Sequence, residues 1–346
     1  MSLAMSRVTL LRRIFPRFCS KSKMLSSARH MHIVDKDQDN VRYAHLKHRS
    51  LLELEGRDVT NFLQGIITND VELLPEMKCM YAMILNQHGR IMHDIMLYHQ
   101  QHDTENKVLL ECESSNSESI IKILKLYKLR KKLSITPRDN LSVVQAMSGN
   151  SFHISPQFSN VITSAIDPRV PMLGHRLVVE NMSESDSALI NMDINAYHHK
   201  RHYIGVPEGP LDLPPGTCLP LECNLDFMNG VSFHKGCYIG QELTARTKFT
   251  GVIRKRLVPV SIEGEGSIES GSSIYTEKRK SAGKFRSMHS DGKVGLALVR
   301  LNYSGETLSS KDGQLKFRCH IPMWWPSEDG TEFSDGVCGP AAEENI

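Results

Sequence analysis

Between residues 49 and 66, the spacing of apolar side chains along the chain changes from one segment to the next. Residues 49–56 alternate between apolar and polar side chains, which predicts a strand closed by a turn. After Asp58 the spacing changes to i, i+3, i+4 and i+7, which predicts a helix capped by Asp58 and ending near residues 68–70. The apolar positions of that helix are Val59, Phe62, Leu63 and Ile66.

Two further apolar runs, residues 80–85 and 91–98, surround a short turn that contains Gly89. They predict a hairpin, because glycine readily takes the positive φ that such a turn needs. Residues 108–112 predict another strand, and the helix after it has apolar residues along one side. Those residues are Ile120, Ile123, Leu124 and Tyr127. Strand, helix and hairpin in this order predict an α+β fold.

Two later stretches differ from this pattern. Residues 148–169 have few periodic apolar positions and several Ser, Pro and Asn residues, which predicts a long surface connection. In residues 251–326, short apolar runs between glycine turns predict a small β-barrel whose packing Trp324 and Trp325 help to close. The acidic end that follows, residues 327–346, predicts a loose tail.

The first 34 residues are rich in arginine and serine and contain no acidic residue, which is typical of a mitochondrial transit peptide. Apolar residues would line one side of a helix there, although Pro16 interrupts it, and a disordered basic arm is the alternative interpretation. No apolar run approaches the roughly 18 residues of a membrane span. We therefore expect a protein of the mitochondrial matrix with no membrane span.

The distribution of charged residues along the chain limits the kinds of partner that we expect. The 346-residue chain carries 42 basic and 39 acidic residues, and seven of the basic residues lie in residues 1–34. The remaining body is therefore slightly acidic, which argues against a general nucleic-acid surface. Within it, six lysines and arginines crowd residues 122–132. A solvated basic face is the simplest interpretation, and a docking patch for an acidic partner or a polyglutamate tail is the more specific one.

The chain has eight cysteines, and no two of them form a C-x-x-C pair. They are too sparse for a disulfide scaffold, so we expect reduced thiols. Cys237 lies beside Gly236, close to Lys235 and three residues before Gly240, where backbone can approach closely and a cation can favour the reactive thiolate. A small buried side chain is the alternative for this cysteine. Together with Cys237, Cys218 and Cys223 suggest a metal site of three thiolates, but nothing in their spacing requires such a site.

A second candidate for metal binding lies in residues 185–203, which predict a helix. His198 and His202 would share one face of that helix at i and i+4, as zinc ligands sometimes do. No H-E-x-x-H arrangement and no nearby cysteine pair completes a zinc site. A surface histidine cluster is therefore the favoured interpretation.

The stretch Lys235-Gly236-Cys237-Tyr238-Ile239-Gly240-Gln241-Glu242 resembles the K-G-C-[FY]-x-G-Q-E signature of the YgfZ-type folate-binding proteins. These proteins are relatives of the aminomethyltransferase, or T-protein, of the glycine cleavage system. Two earlier patterns, "F-L-Q-G…T-N-D" and "L-N-x-x-G-R-I-x-x-D", are similar to the same family, and the resemblance covers nearly all of residues 41–326. The aminomethyltransferase branch lacks the cysteine, so the match is closer to the YgfZ branch.

The resemblance implies an α+β, aminomethyltransferase-like, multi-lobed folate-binding fold with a C-terminal β-barrel. The expected divisions are a transit peptide and spacer at 1–34, a two-lobed folate-binding region at 35–250 with the connection near 148–169, the barrel at 251–326 and the tail at 327–346. Tetrahydrofolate becomes a candidate ligand. Its candidate contacts are Glu222, in a P-x-E segment, together with Asn69 and Asp70.

The mitochondrial members of the YgfZ-type family are iron–sulfur cluster assembly factors that work with A-type carrier proteins to mature four-iron four-sulfur client apoproteins. An iron–sulfur cluster normally takes four protein ligands, and one thiol cannot hold it alone, so we expect Cys237 to be one ligand of a transient cluster shared with a partner. Lys235 and nearby backbone N–H groups would offset the negative charge of that cluster. Gly236 and Gly240 would let the partner approach. The residues expected to support the loop are Tyr238, Gln241, Glu242 and Arg246.

Two other classes of function stay open. A folate-dependent aminomethyl transferase would need a catalytic acid or base near the folate, and the sequence identifies none. A thiol redox enzyme would need a resolving cysteine, and the nearest one along the chain is Cys223, 14 residues from Cys237. We therefore expect an assembly factor with no turnover of its own.

Overall fold

The computed structural model describes residues 41–100, 106–147 and 158–326, all within the unit Val41–Ile346. The transit peptide predicted at residues 1–34 and the tail predicted at 327–346 lie outside the described residues. The expected division at residue 250 stays a prediction.

A five-stranded antiparallel sheet carries the first lobe. Its strands are β2 (Arg49–Glu55), β3 (Cys79–Leu85), β4 (Ile91–Gln100), β5 (Lys107–Glu113) and β6 (Ser134–Pro137). They lie in the order β3-β4-β5-β2-β6. The predicted hairpin is confirmed, because β3 and β4 pair antiparallel and Gly89 has a φ of 73°.

All seven residues of β3 are buried, because both faces of this sheet are covered. Ala82 and Ile84 pack beneath the helices α1 (Val59–Gln64) and α3 (Ser117–Lys128). Tyr81 and Met83 point to the opposite face, where they join the largest core cluster. A continuous apolar run is the pattern expected of a strand that is buried on both sides.

Three details of the helices differ from the prediction. The helix α1 ends at Gln64, well before residues 68–70, and its N-cap Asp58 makes no side-chain cap. The Asp58 carboxylate instead accepts a hydrogen bond from the Lys132 backbone N–H at 2.7 Å, so it connects two loops. In α3, Leu124 is buried as predicted, but Tyr127 is exposed.

A four-stranded antiparallel sheet lies against the core face of the first. Its strands are β1 (Arg42–His45), β7 (Leu141–Met147), β8 (Val161–Ile166) and β9 (His175–Glu180), in the order β1-β7-β9-β8. The long connection predicted near residues 148–169 is therefore wrong over Val161–Ile166, which forms a strand. Residues 148–157 of that connection lie outside the described residues.

The remaining helices are short. They are α2 (Leu74–Met77), α4 (Glu184–Ala188), α5 (Ile194–Tyr203), α6 (Gly209–Asp212) and α7 (Gln241–Thr250). The single helix predicted over residues 185–203 is thus two helices. Across residues 41–100, 106–147 and 158–326, no helix combines the length and the apolar character needed to cross a bilayer.

The C-terminal region forms the predicted barrel, which is closed and has six strands in the order β10-β13-β12-β11-β14-β15. Trp325 joins its core, as expected. The strands are β10 (Lys255–Glu263), β11 (Ser273–Tyr275), β12 (Ser281–Met288), β13 (Val294–Arg300), β14 (Thr307–Ser309) and β15 (Lys316–Cys319).

A buried ionic network joins the two sheets. Arg176 on β9 donates to Glu111 on β5 through Nε, at 2.9 Å, and through Nη2, while Arg49 on β2 donates to the same carboxylate at 2.6 Å. All three side chains are inaccessible to solvent or nearly so. Burial alone would raise the pKa of Glu111, but the two guanidinium groups outweigh it and lower the pKa to about 2.

The network continues towards the helices. Arg169 donates to Asp167 at 2.8 Å and to Glu208 at 2.7 Å, and Tyr197 on α5 donates to Glu208 at 2.6 Å. A buried charge is tolerated only when it is paired and hydrogen-bonded. The sheets and α5 must therefore keep their relative positions for these ions to stay satisfied.

Arg176→Met should destabilise the protein strongly, because the variant leaves Glu111 and Asp167 buried with fewer partners. We expect a loss of about 3–5 kcal/mol in the free energy of unfolding, measured by chemical denaturation. The control is Arg138→Met, since Arg138 forms partly exposed ion pairs and should contribute about 1 kcal/mol or less. Equal losses in the two variants would contradict a special role for the buried network.

Candidate functional site

Cys237 lies on an exposed loop between the core and α7. Among the six cysteines in the described residues, it alone is exposed. Cys79, Cys112, Cys218 and Cys223 are buried, and Cys319 is intermediate. The alternative interpretation of Cys237 as a small buried side chain is therefore wrong. A thiol in this position is accessible to another protein.

The loop rests on the segment that follows α1. Thr68 Oγ1 donates to the Gly230 carbonyl at 2.7 Å, and the Ser232 N–H donates to the Thr68 carbonyl at 3.1 Å. At the other end of the loop, the Ile239 N–H donates to the Gly65 carbonyl at 3.1 Å. Both ends are therefore held by backbone hydrogen bonds, and His234, Gly236 and Cys237 between them are exposed.

Lys235 points into the protein rather than away from it. Its ammonium group donates to the carbonyls of Ile67, at 2.8 Å, and Asn69, at 2.6 Å, and lies 5.1 Å from the ring centroid of Tyr238. Burial lowers the pKa of Lys235 to about 8, although the charge of Asp70 opposes that shift. These contacts give Lys235 a structural role in the loop. Its predicted effect on the thiolate stays a prediction.

Tyr238 and Gln241 close the loop on the helix side. The Tyr238 side chain is buried in the core cluster, and burial raises its pKa to about 12. The Gln241 Oε1 accepts from the Tyr238 N–H at 3.3 Å, while the Gln241 N–H donates to the Tyr238 carbonyl at 3.2 Å. Glu242 and Arg246 were expected to act likewise. Both are exposed, and within the described residues neither side chain makes a hydrogen bond or an ion pair, so Gln241 alone of these three helps to fix the loop.

The two glycines beside the thiol differ in what they do. Gly240 has a φ of 79°, and a Cβ there would lie 2.4 Å from the Asn86 carbonyl oxygen and 3.1 Å from Gly89 Cα in the β3–β4 turn. Its lack of a side chain lets the hairpin pack against the start of α7. Gly236 has an ordinary φ, and a Cβ there would meet no atom within 4 Å. Nothing within the fold explains why position 236 is a glycine.

An apolar surface adjoins the loop. Phe249, on the last turn of α7, is 68% exposed, and Val252 just beyond it is 76% exposed. The ring of Phe233 meets the ring of Phe249 edge-on at 6.0 Å, which connects the loop to the helix. An exposed apolar group beside an exposed thiol is a feature of interaction sites.

The three candidate folate contacts do not lie together. The Asn69 side-chain amide donates to the carbonyls of Tyr81, at 2.9 Å, and Asn229, at 2.7 Å. The Asp70 carboxylate accepts from Gln64 at 2.7 Å and begins a short 3₁₀ helix. Both side chains are therefore used for local structure.

Glu222 lines a cavity whose lining does not include Asn69 or Asp70. The cavity has a volume of about 550 Å³ and lies between the segment 219–222, one side of α7 and residues 251–255. That volume is in the range of small-molecule sites. Arg254 and Lys255 also line it, so it offers a carboxylate and two cations to a ligand.

Neither metal grouping that the sequence left open is assembled in the described residues. In the described residues, the group of His, Cys, Asp and Glu side chains close enough to share an ion is His48, His198 and Glu208, which excludes the three-cysteine site. Glu208 already accepts from Arg169 and Tyr197, so this group belongs to the ionic network. His202 is buried near Asp212, which makes the expected surface histidine cluster wrong.

Two family models match the chain. Residues 28–150 match the GCVT N-terminal domain, and residues 254–327 match the CAF17 C-terminal beta-barrel domain. The second match coincides with the closed six-stranded barrel. Between them lies the Cys237 loop.

Curated relatives cover most of the chain. It is 39% identical over 303 residues to the human "Iron-sulfur cluster assembly factor IBA57, mitochondrial", which spans 81% of this chain and 84% of the relative. The mouse protein of the same name is 38% identical, with the same coverage. A homologue from Mycosarcoma maydis is 34% identical over 91% of both chains.

A solved structure resembles the fold. It is the glycine cleavage system aminomethyltransferase T from Bartonella henselae, with a TM-score of 0.63 and 13% identity, over 82% of this chain and 86% of that one. At this identity the likeness concerns the fold alone. It confirms the predicted aminomethyltransferase-like α+β fold.

Alanine substitutions at the two glycines should affect the stability of the protein very differently. Gly240→Ala should lower the free energy of unfolding by several kcal/mol, because it combines a positive φ with a backbone clash. Gly236→Ala should leave stability unchanged or raise it by about 0.4–1 kcal/mol. Chemical denaturation measures both. A large loss for Gly236→Ala would show that the loop uses that glycine internally.

The buried ammonium group of Lys235 should make stability depend on pH. Its folded pKa of about 8 lies below the ordinary value of 10.5, so the unfolded chain binds more protons between these values. Stability therefore rises with pH across that window. The free energy of unfolding of the wild type, relative to Lys235→Met, should increase from pH 8 to pH 10.5. A difference that stays constant would contradict the low folded pKa.

Proposed function

We propose, starting from the fact that this chain belongs to the IBA57 family of mitochondrial iron–sulfur cluster assembly factors, that Cys237 supplies one ligand to an iron–sulfur cluster shared with a partner protein. The cluster is the cargo of this reaction, not a resident cofactor. The observation that carries the proposal is an exposed thiol on a loop whose two ends are fixed to the core.

A single thiol cannot provide all the ligands of an iron–sulfur cluster, so the proposed site requires a partner. Iron–sulfur clusters take four protein ligands, most of them cysteine thiolates. Cys218 and Cys223 are buried, and the described residues bring no second thiol to the Cys237 surface. A partner that supplies the other thiolates would hold the cluster against this loop, and the complex would separate when the cluster moves on.

The surroundings of the loop suit a second protein. Gly236 leaves open space beside Cys237, and Phe249 and Val252 provide apolar area to bury in a complex. Exposed Glu242 and Arg246 lie on the same helix without partners in the described chain and can pair with charges on the other protein. A-type iron–sulfur carriers are the partners that we propose, with four-iron four-sulfur apoproteins as the clients.

The names of the relatives indicate the compartment in which this protein acts. The human and mouse proteins are named mitochondrial, and the arginine-rich, acid-free segment 1–34 is consistent with import. We therefore place the activity in the mitochondrion, and specifically in the matrix.

Tetrahydrofolate fits the site only in part. A carboxylate suits the N–H groups of a pterin, and cations suit the glutamate tail, so Glu222, Arg254 and Lys255 suit the two ends of such a ligand. Asn69 and Asp70 do not line that cavity. The cavity favours binding of a folate over the alternative of aminomethyl transfer, because no other carboxylate or histidine lines it.

The proposal is tested by anaerobic cluster reconstitution of the protein mixed with an A-type carrier. Wild type should form a coloured complex that co-elutes with the carrier in size-exclusion chromatography, and Cys237→Ser should lose both colour and complex. Loss of a cluster ligand should reduce cluster occupancy of the complex by at least about 10-fold.

Cys319→Ser is the matched control, since Cys319 is a partly exposed thiol on the barrel strand β15. It should behave as the wild type does. Persistence of colour and complex in Cys237→Ser would reject Cys237 as a ligand. One-carbon turnover by the wild type with folate present would favour the transferase instead.

A further inference from the structure

The end of α3 and the turn after it form a strongly basic surface, which we call the basic tip (residues 122–132). It contains six lysines and arginines and no acidic residue. From residue 35 onward, the rest of the chain has 29 basic and 39 acidic residues. Positive charge is therefore concentrated at one place on a body that is otherwise acidic.

The basic tip also exposes large apolar side chains. Leu126 is 67% exposed and Leu129 is 84% exposed, with exposed Tyr127 between them. Ile120 and Leu124, on the inner side of α3, already attach the helix to the sheet. The leucines of the tip therefore contribute little to the core, and a merely solvated basic face would not need them.

Leu129 is unfavourable for the fold in a second way. Its backbone has a φ of 47° and a ψ of −116°, in the half of conformational space that favours glycine. A leucine there strains the backbone and places an apolar side chain in water. The folded chain gains from neither, so a surface outside the protein is the remaining reason for a leucine at this position.

Hydrogen bonds to residues at the start of α1 hold the turn of the basic tip in place. The Lys132 N–H donates to the Asp58 carboxylate at 2.7 Å, the Asp58 N–H donates to the Lys132 carbonyl at 3.4 Å, and Lys131 Nζ donates to Asn61 Oδ1 at 2.6 Å. The projecting leucine is thus presented on a fixed scaffold.

We propose that the basic tip docks on an anionic lipid surface. Clusters of four to eight lysines and arginines on a helix attract anionic headgroups, and apolar side chains between them enter the boundary with the acyl chains. An acidic protein or a polyglutamate chain would satisfy the cations but leave Leu126 and Leu129 in water. A bilayer accepts both kinds of group without needing a matched pocket.

This surface is separate from the Cys237 loop. Asp58 and Asn61 adjoin the basic tip near the start of α1, whereas Gly65, just after the end of that helix, holds the loop. Docking on lipid through the tip therefore does not require the thiol. The proposal stands whether or not Cys237 is a cluster ligand.

The test is flotation of the full chain with vesicles of phosphatidylcholine alone or with about one third phosphatidylglycerol. Wild type should bind the anionic vesicles only, and less as salt is raised. Lys122→Gln, Lys125→Gln and Arg130→Gln together should lower the partition coefficient roughly 100-fold. Leu126→Gln with Leu129→Gln should lower it roughly 10-fold without changing the charge.

Three controls isolate the tip. Lys278→Gln, Lys280→Gln and Lys284→Gln remove the same charge from the exposed barrel surface, and Leu211→Gln removes a leucine that is 76% exposed elsewhere. Arg12→Gln, Arg13→Gln and Arg17→Gln reduce the charge of the N-terminal segment. All three should retain vesicle binding that still depends on the tip.

Three results would overturn the proposal. Wild type could fail to bind the anionic vesicles. Binding could be lost in the N-terminal or barrel variant and unchanged in the tip variants. Finally, a soluble polyglutamate peptide could bind with the same dependence on the tip lysines while the leucine variant binds vesicles as the wild type does. That last result would favour an acidic chain as the occupant.

Discussion

Pairing of the buried charges between the two sheets constrains the rest of this structure. Arg176 and Arg49 converge on Glu111, and Arg169 connects Asp167 to Glu208, all away from solvent. An ion left unpaired at such depth is far less favourable than the same ion in water. The sheets and α5 therefore have little freedom to slide, and the Gly65–Asp70 segment is attached to the first sheet by the hydrogen bond from Asn69 to the Tyr81 carbonyl on β3.

That fixed segment explains how an exposed thiol can belong to a rigid protein. Thr68 and Gly65 hold the two ends of the Cys237 loop, Lys235 fills the space beneath it, and Gly240 lets the β3–β4 turn pack against its base. Only the residues around Gly236 and Cys237 project. A projecting thiol of this kind is what the proposed shared cluster needs, and the exposed side chains of Phe249 and Val252 add apolar area near it.

Local patterns allowed much of this to be predicted. Alternation in residues 49–56, the hairpin at Gly89 and the short C-terminal runs gave correct elements, because each depends on neighbouring residues. The motif around Cys237 identified the loop. What could not be predicted depends on residues distant along the chain. Nothing near Asp58 indicates that it would bond to Lys132 instead of capping its helix, and nothing near Glu111 indicates that Arg49 and Arg176 would pair with it. Likewise, the side chains of Glu242, the last residue of the motif, and Arg246, four residues after it, make no bond that would fix the loop.

The hydrogen bond from Thr68 to Gly230 joins residues 162 positions apart. Contacts between such distant positions form late in folding, because a long stretch of chain must first be ordered. A chain whose first lobe has folded, but whose later residues have not yet docked, lacks this hydrogen bond at one end of the Cys237 loop. The shape of the loop therefore depends on packing between residues far apart in the sequence, and a half-folded chain would carry Cys237 without that shape.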